Sequence, residues 1–167
     1  GLVVDGNTIS VVDAQGELVA RLKEPAVRRL WARYRLVRVH CPELHRRVGV
    51  SSFGQGLVRL ADRYREYLSK GHWAGSFEFY RRLHAAFRLD HAYFASPLNV
   101  AEMCGSYCSV FNEDQAFGAY PEAYSSLWWV PGSFNPEYRM AELKKALWHA
   151  RLSAMSTGRP VRLVGIY

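Results

Sequence analysis

The stretch Asn135-Pro136-Glu137-Tyr138 holds residue types that can do chemistry on an aromatic amine. An exocyclic amine on a heteroaromatic ring is a weak nucleophile, because its lone pair is delocalised into the ring. Two acceptors set on its two hydrogens draw the nitrogen toward a tetrahedral, more nucleophilic form. The side-chain oxygen of Asn135 offers one acceptor and the backbone carbonyl of Pro136 the other. Tyr138 offers a face on which the ring can stack, so the turn supplies orientation rather than proton transfer. The same residues also read as a helix start. Asn135 is a good N-cap, Pro136 suits the first helical position, and Glu137 favours the positive end of the helix.

A second feature is cationic. Arg28, Arg29, Arg33, Arg35, Arg38, Arg46 and Arg47 crowd one segment of a 167-residue chain with a net charge of +7. Fixed positive charge at that density suits phosphate. It equally suits a solvated helix face or contact with an acidic protein. The acidic pair Glu113 and Asp114 reads either as a partner for a ribose hydroxyl or as plain turn residues.

Other constellations carry less. Cys41, Cys104 and Cys108 are odd in number, widely spaced and without a CxxC pair. They are expected as reduced thiols in a cytosolic, nuclear or organelle-matrix protein. Cys104 and Cys108 would share one face of a helix. His40, Cys41, His45 and His72 match no common zinc spacing, and no metal is expected. His84 and His149 read as helix-edge residues. The chain opens on Gly1 rather than Met, as a processed, tagged or excised chain would. No apolar run reaches the ~18 residues of a membrane span.

The elements that must position these residues follow from periodicity. Residues 2–22 read as a hairpin punctuated by Asp5-Gly6 and Ala14-Gln15-Gly16. Pro25 opens a helix with Val27, Leu30, Trp31 and Tyr34 inward, interrupted at Pro42. A helix over 57–70 turns Leu57, Leu60, Ala61, Tyr64 and Leu68 inward and stops at Gly71. Ser76 caps a further helix with Phe77, Tyr80, Leu83 and Phe87 as its core stripe. Beyond it, "LDHAYFASPLN" reads as a strand, "VAEMCGSYCSVF" as a helix or irregular turn, and "QAFGAY" and "SSLWWVPGSF" as strand-like. Alternation in the last of these buries either Trp128 or Trp129. A helix over 136–156 ends at Thr157-Gly158, and "PVRLVGIY" reads as one more buried strand. Alternating helices and strands from residue 76 onward predict an α/β sheet with parallel crossovers. The expected domains are an N-terminal hairpin and helical segment over 1–75 and a core over 76–167.

The segment "LHAAFRLDHAYFASPLNVAEMCGSYCSVFNEDQAFGA" resembles the methyltransferase domain of the phosphorylated CTD-interacting factor family. The likeness is carried by "FASPLN" at 94–99, "YCSVF" at 107–111, Phe117-Gly118, and "GSF" with Asn135-Pro136. It implies a Rossmann-like methyltransferase sheet, S-adenosylmethionine as cofactor, and cap-specific adenosine N6-methylation of RNA. It implies Ser96, Pro97 and Asn99 near the cofactor, beyond the carboxyl end of the first strand, and Asn135, Pro136 and Tyr138 at the adenine. The arginines of 28–47 would then meet cap or RNA phosphates. The chain departs from the family's Asn-Pro-Pro-Phe at Glu137 and Tyr138, runs "GSF" directly into Asn135, and reaches only a fifth strand. These departures fit a second expectation, a catalytically inactive relative that binds RNA or serves as a structural subunit of an assembly.

Overall fold

The computed structural model describes residues 1–69, 76–136 and 139–165. Gly71, His72, Glu137 and Tyr138 lie outside the described residues. The chain divides into two compact units, Gly1–Trp73 with Glu113–Gly118, and Ala74–Asn112 with Ala119–Tyr167.

The first unit starts with strands β1 (Leu2–Asp5), β2 (Thr8–Val12) and β3 (Leu18–Lys23), antiparallel in that order. Both turn signals close, so the expected hairpin is a three-stranded sheet. Gly6 and Gly16 take φ of 56° and 86°, the left-handed region that glycine enters without steric cost. Helix α1 (Glu24–His40) follows, with Pro25 in its first turn, and Pro42 opens α2 (Pro42–Arg47). Helices α3 (Phe53–Arg63) and α4 (Arg65–Ser69) divide the helix expected over 57–70. Ser52 caps α3 by accepting from the Gln55 N–H. The core gathers Val11, Leu30, Tyr34, Leu57 and Leu60, all at most 1% exposed. Trp31, expected inward, is 44% exposed, with one ring face stacked on Tyr34.

Glu113–Gly118 completes this core. Phe117 is fully buried against Tyr34 and Phe53. Asp114, also fully buried, accepts from Arg63 at 2.5 Å and from the Tyr64 hydroxyl at 2.8 Å. A 3₁₀ turn over Asn112–Phe117 carries these residues, so the strand expected at "QAFGAY" is reduced to a single bridge at Tyr120.

The second unit holds α5 (Phe77–Phe87), β4 (His91–Ala92), β5 (Ser106–Tyr107), β6 (Gly132–Phe134), α6 (Met140–Thr157) and β7 (Leu163–Gly165). The four strands pair in parallel in the order β5-β4-β6-β7. A parallel bridge between Cys108 and Tyr120 adds a further position beside β5. The chain is therefore α/β, as expected. Ser76 caps α5 by accepting from the Phe79 N–H, and Gly158 closes α6 at φ 64°.

Several local expectations are overturned. None of the residues of α5 is buried: Phe77 and Phe87 are 60% and 52% exposed, so its period-3.6 stripe does not serve as core. Cys104 and Cys108 share no helix; Cys104 lies in a turn and Cys108 follows β5. β7 is half-exposed rather than buried, since among the described residues it has a strand partner on one side only. Of the strand-like stretch "SSLWWVPGSF", only Gly132–Phe134 is strand, as β6. A Cβ at Gly132 would meet the Tyr93 ring at 2.7 Å and the His91 carbonyl at 2.9 Å, so only glycine lets β6 approach β4. Trp128 is 1% exposed and Trp129 68%, so one of the two is buried, although neither lies in a strand.

Candidate functional site at the sheet rim

β4 and β6 run parallel side by side, with His91 opposite Gly132 and Ala92 opposite Ser133. The ladder continues through the Tyr93 N–H donating to the Ser133 carbonyl. The chain therefore leaves both strands at the same end of the sheet. After β4 come Ser96, Pro97 and Asn99; directly after β6 come Asn135 and Pro136. Counted from Tyr120 across the sheet, the strand segments run third, second, first, fourth, fifth in chain order. The order reverses between β4 and β6, and in open parallel sheets ligands bind beyond the carboxyl ends of the strands at such a reversal.

The two loops at that rim differ in chemistry. The first is closed on itself. Asn99 Oδ1 accepts from the Ser96 N–H at 2.7 Å and from the Ser96 hydroxyl at 3.0 Å, while the Asn99 N–H donates back to that hydroxyl. Ser96 and Asn99 thus fix the shape of the loop, and Pro97 is buried within it. The second loop is open. Asn135 Oδ1 is buried and has no hydrogen-bond partner among the described residues. A buried acceptor left unmade costs roughly 1–3 kcal/mol, so such a group calls for an explanation.

The helix-cap reading of Asn135 does not supply it. α6 begins at Met140 with Arg139 as its N-cap and no side-chain cap bond. Asn135 and Pro136 precede the helix rather than start it. Pro136 is buried; Tyr138, the expected stacking partner, lies outside the described residues.

Aromatic rings line the interior beneath. Trp128 stacks on Tyr93 at 4.5 Å and is pinned by its indole N–H to the Ala123 carbonyl and its backbone N–H to the Ser153 hydroxyl. Phe94, just past β4, lies 6.3 Å from Phe134 and 5.5 Å from Tyr124. Periodicity does not single out Phe94 or Tyr124. Phe94 opens the "FASPLN" motif, and the sequence signal for Tyr124 is the density of aromatics in "EAYSSLWW".

Below the rim, His91 bridges two strands. Its Nδ1 lies 2.7 Å from the Ser106 hydroxyl and its Nε2 3.3 Å from Cys108 Sγ. Burial holds the His91 imidazole down to about 4 and pushes the Cys108 thiol up to about 11. Both are neutral near pH 7, so the pair is a structural clamp and not a thiolate nucleophile.

The arginines belong to the first unit. Arg28 pairs with Glu24 at 2.6 Å, Arg38 donates to the Tyr34 hydroxyl at 3.4 Å, Arg33 is half-buried, and Arg29, Arg35, Arg46 and Arg47 are exposed. At 100° per residue, Arg28 and Arg35 share one flank of α1 while Arg29 and Arg33 share the other, either side of buried Val27, Leu30, Tyr34 and Val37. They form two short rows rather than one stripe. His45 is buried against Tyr34 and bonded to the Ala116 carbonyl, and no group of three metal-ligating side chains exists among the described residues. Asp114, read as a ribose partner, is committed to Arg63 and Tyr64. His84 and His149 bond backbone carbonyls at Leu89 and Ser126.

The chain matches no model of a known protein family, and no curated protein matches it.

Proposed function

We propose that the second unit is a Rossmann-like methyltransferase core that binds S-adenosylmethionine and methylates the N6 amine of a cap-adjacent adenosine in RNA. The observation that carries this reading is Asn135 Oδ1, an acceptor buried without a partner at the carboxyl end of β6, beside the point where strand order reverses. An incoming amine would satisfy it. When bound, S-adenosylmethionine supplies an electrophilic methyl group on a sulfonium. Asn135 and the Pro136 carbonyl hold the two amine hydrogens and raise the nucleophilicity of the nitrogen. Ser96 and Asn99 keep the loop after β4 in one shape, leaving its backbone and Pro97 to border the cofactor. Tyr138 would stack on the base.

The test is titration with S-adenosylmethionine together with methyl transfer to capped RNA. Micromolar binding and transfer are expected, and Asn135→Ala should lower transfer about 100-fold without lowering the melting temperature. A flat titration overturns the reading. A second reading, an inactive methyltransferase-like protein acting as an RNA-binding or structural subunit, is favoured by the mutual satisfaction of Ser96 and Asn99, which leaves those oxygens engaged. It requires a flat titration with RNA binding intact.

A further inference from the structure

Helix α6 faces the core with one side and leaves an apolar surface on the other. On the inner side Ala146 and Ser153 are fully buried, and Leu143 and Ala150 pack against the core. Met140, Leu147, Trp148, Leu152 and Met155 are each between 45% and 70% exposed. At about 100° per residue these five share the side opposite Ala146 and Ser153. A helix packed along one side carries polar residues on the other. Leucine and methionine form helix well, but lysine and glutamate do so without exposing apolar area. Single exposed apolar residues call for no explanation; five large ones in rows along one helix do.

The charges on that side have one sign. Arg151 and Lys144 run between two apolar rows, Leu147 with Met140 and Met155 with Trp148 and Leu152, while Lys145 stands at the margin. Glu142, the one carboxylate of the helix, turns toward the buried side and is half-buried. Arg151 lies 5.6 Å from the Trp148 ring and Lys145 lies 4.0 Å from the Tyr124 ring.

This pattern selects among occupants. Pairing α6 with a second copy of itself would set one cationic row against another. A helix lying in a bilayer surface gathers its cations on a polar face of its own; here Arg151 and Lys144 lie along the middle of the apolar side. RNA phosphates would answer the cations and leave the methionines and leucines uncovered. A second helix bearing apolar side chains and carboxylates on one side answers both.

We propose that the outer side of α6 is the docking surface for an acidic amphipathic helix of a partner protein. From Met140 to Met155 the surface runs about 22 Å, so a partner helix of roughly four turns covers it. The inference is independent of the adenine reading of Asn135 and holds whether or not the chain transfers methyl groups.

The experiment uses two labelled synthetic helical peptides of about 18 residues, each with leucines three and four apart. One carries glutamates beside the leucines, the other lysines. Fluorescence anisotropy with the full chain should show micromolar binding of the glutamate peptide and binding of the lysine peptide at least about tenfold weaker. Trp148→Ala with Leu152→Ala should weaken the glutamate peptide about tenfold at an unchanged melting temperature. Lys144→Glu with Arg151→Glu should reverse the preference between the peptides. Equal binding of both, binding of neither, or a preference that survives the charge reversal overturns the inference. Sedimentation, flotation with phosphatidylserine vesicles and RNA binding are followed alongside. A dimer, a vesicle complex or an RNA complex that the Trp148→Ala, Leu152→Ala variant abolishes assigns the surface to that occupant and overturns it equally.

Discussion

Asn135 and Trp148 are not equally visible in the sequence. An asparagine followed by proline is conspicuous because both restrict what the backbone and its neighbours can do, so Asn135 stands out by residue type alone. Whether it caps or grips is decided by where α6 begins, and that depends on packing rather than on residue type. The exposure of Trp148 is set wholly by its surroundings, as is the neutrality of the His91–Cys108 pair. His91 yields a pH prediction. In the folded chain burial holds it down to about 4, below its ordinary 6.5. Between those values the unfolded chain binds a proton that the folded chain refuses. Stability should therefore fall as pH drops from about 6.5 to about 4, by up to roughly 1.4 kcal/mol for each pH unit crossed, and level off below. Urea midpoints at pH 7, 6, 5 and 4 check this; a His91→Gln variant should show a flatter dependence over the same window.

Caps and turns are legible in the sequence, and short strands are not. Ser76, Gly158, Gly6 and Gly16 each answer a local backbone need, so their neighbours in sequence suffice to identify them. β4 and β5 have two residues each and β6 three, too few for alternation to register. They are held in the sheet by parallel partners remote in sequence. α5 shows the opposite failure: its apolar period is real, yet none of its residues is buried. Periodicity records what a helix can bury, not what it does bury. The junction of β4 and β6 gives the second prediction. Gly132→Ala places a methyl inside the contact distance of the Tyr93 ring and the His91 carbonyl, and the latter is backbone that cannot swing aside. It should cost about 1–3 kcal/mol in denaturant unfolding, as overpacking typically does. It should also depress S-adenosylmethionine binding by shifting the rim, whereas Gly158→Asn, at an exposed αL position, should leave that binding unchanged.

Taken whole, the chain carries the arginine cluster of 28–47 and its candidate base site in different units. If RNA phosphate is the ligand of α1, affinity should fall steeply between 50 and 200 mM salt, and Arg28→Ala with Arg35→Ala should reduce the slope of log K against log salt by about 1–2. Affinity that does not respond to salt would remove the arginines from the interface. No helix among the described residues is long and apolar enough to cross a membrane. The six residues Glu113–Gly118 bear on how this molecule can be handled in the laboratory. They lie in sequence between Asn112 and Ala119 of the second unit, yet they deliver Asp114 to Arg63 and Phe117 to Tyr34 in the first. A truncated product of residues 1–75 would lack both, leaving the Arg63 guanidinium and Tyr64 hydroxyl without their carboxylate and a phenyl-sized hole beside Tyr34. Such a fragment should be recovered unfolded, with flat amide-proton dispersion, while the same fragment supplied with a synthetic peptide of residues 110–121 should regain dispersion. Gene splitting, limited digestion and separate expression of the halves will therefore report on one interleaved polypeptide rather than on two detachable parts.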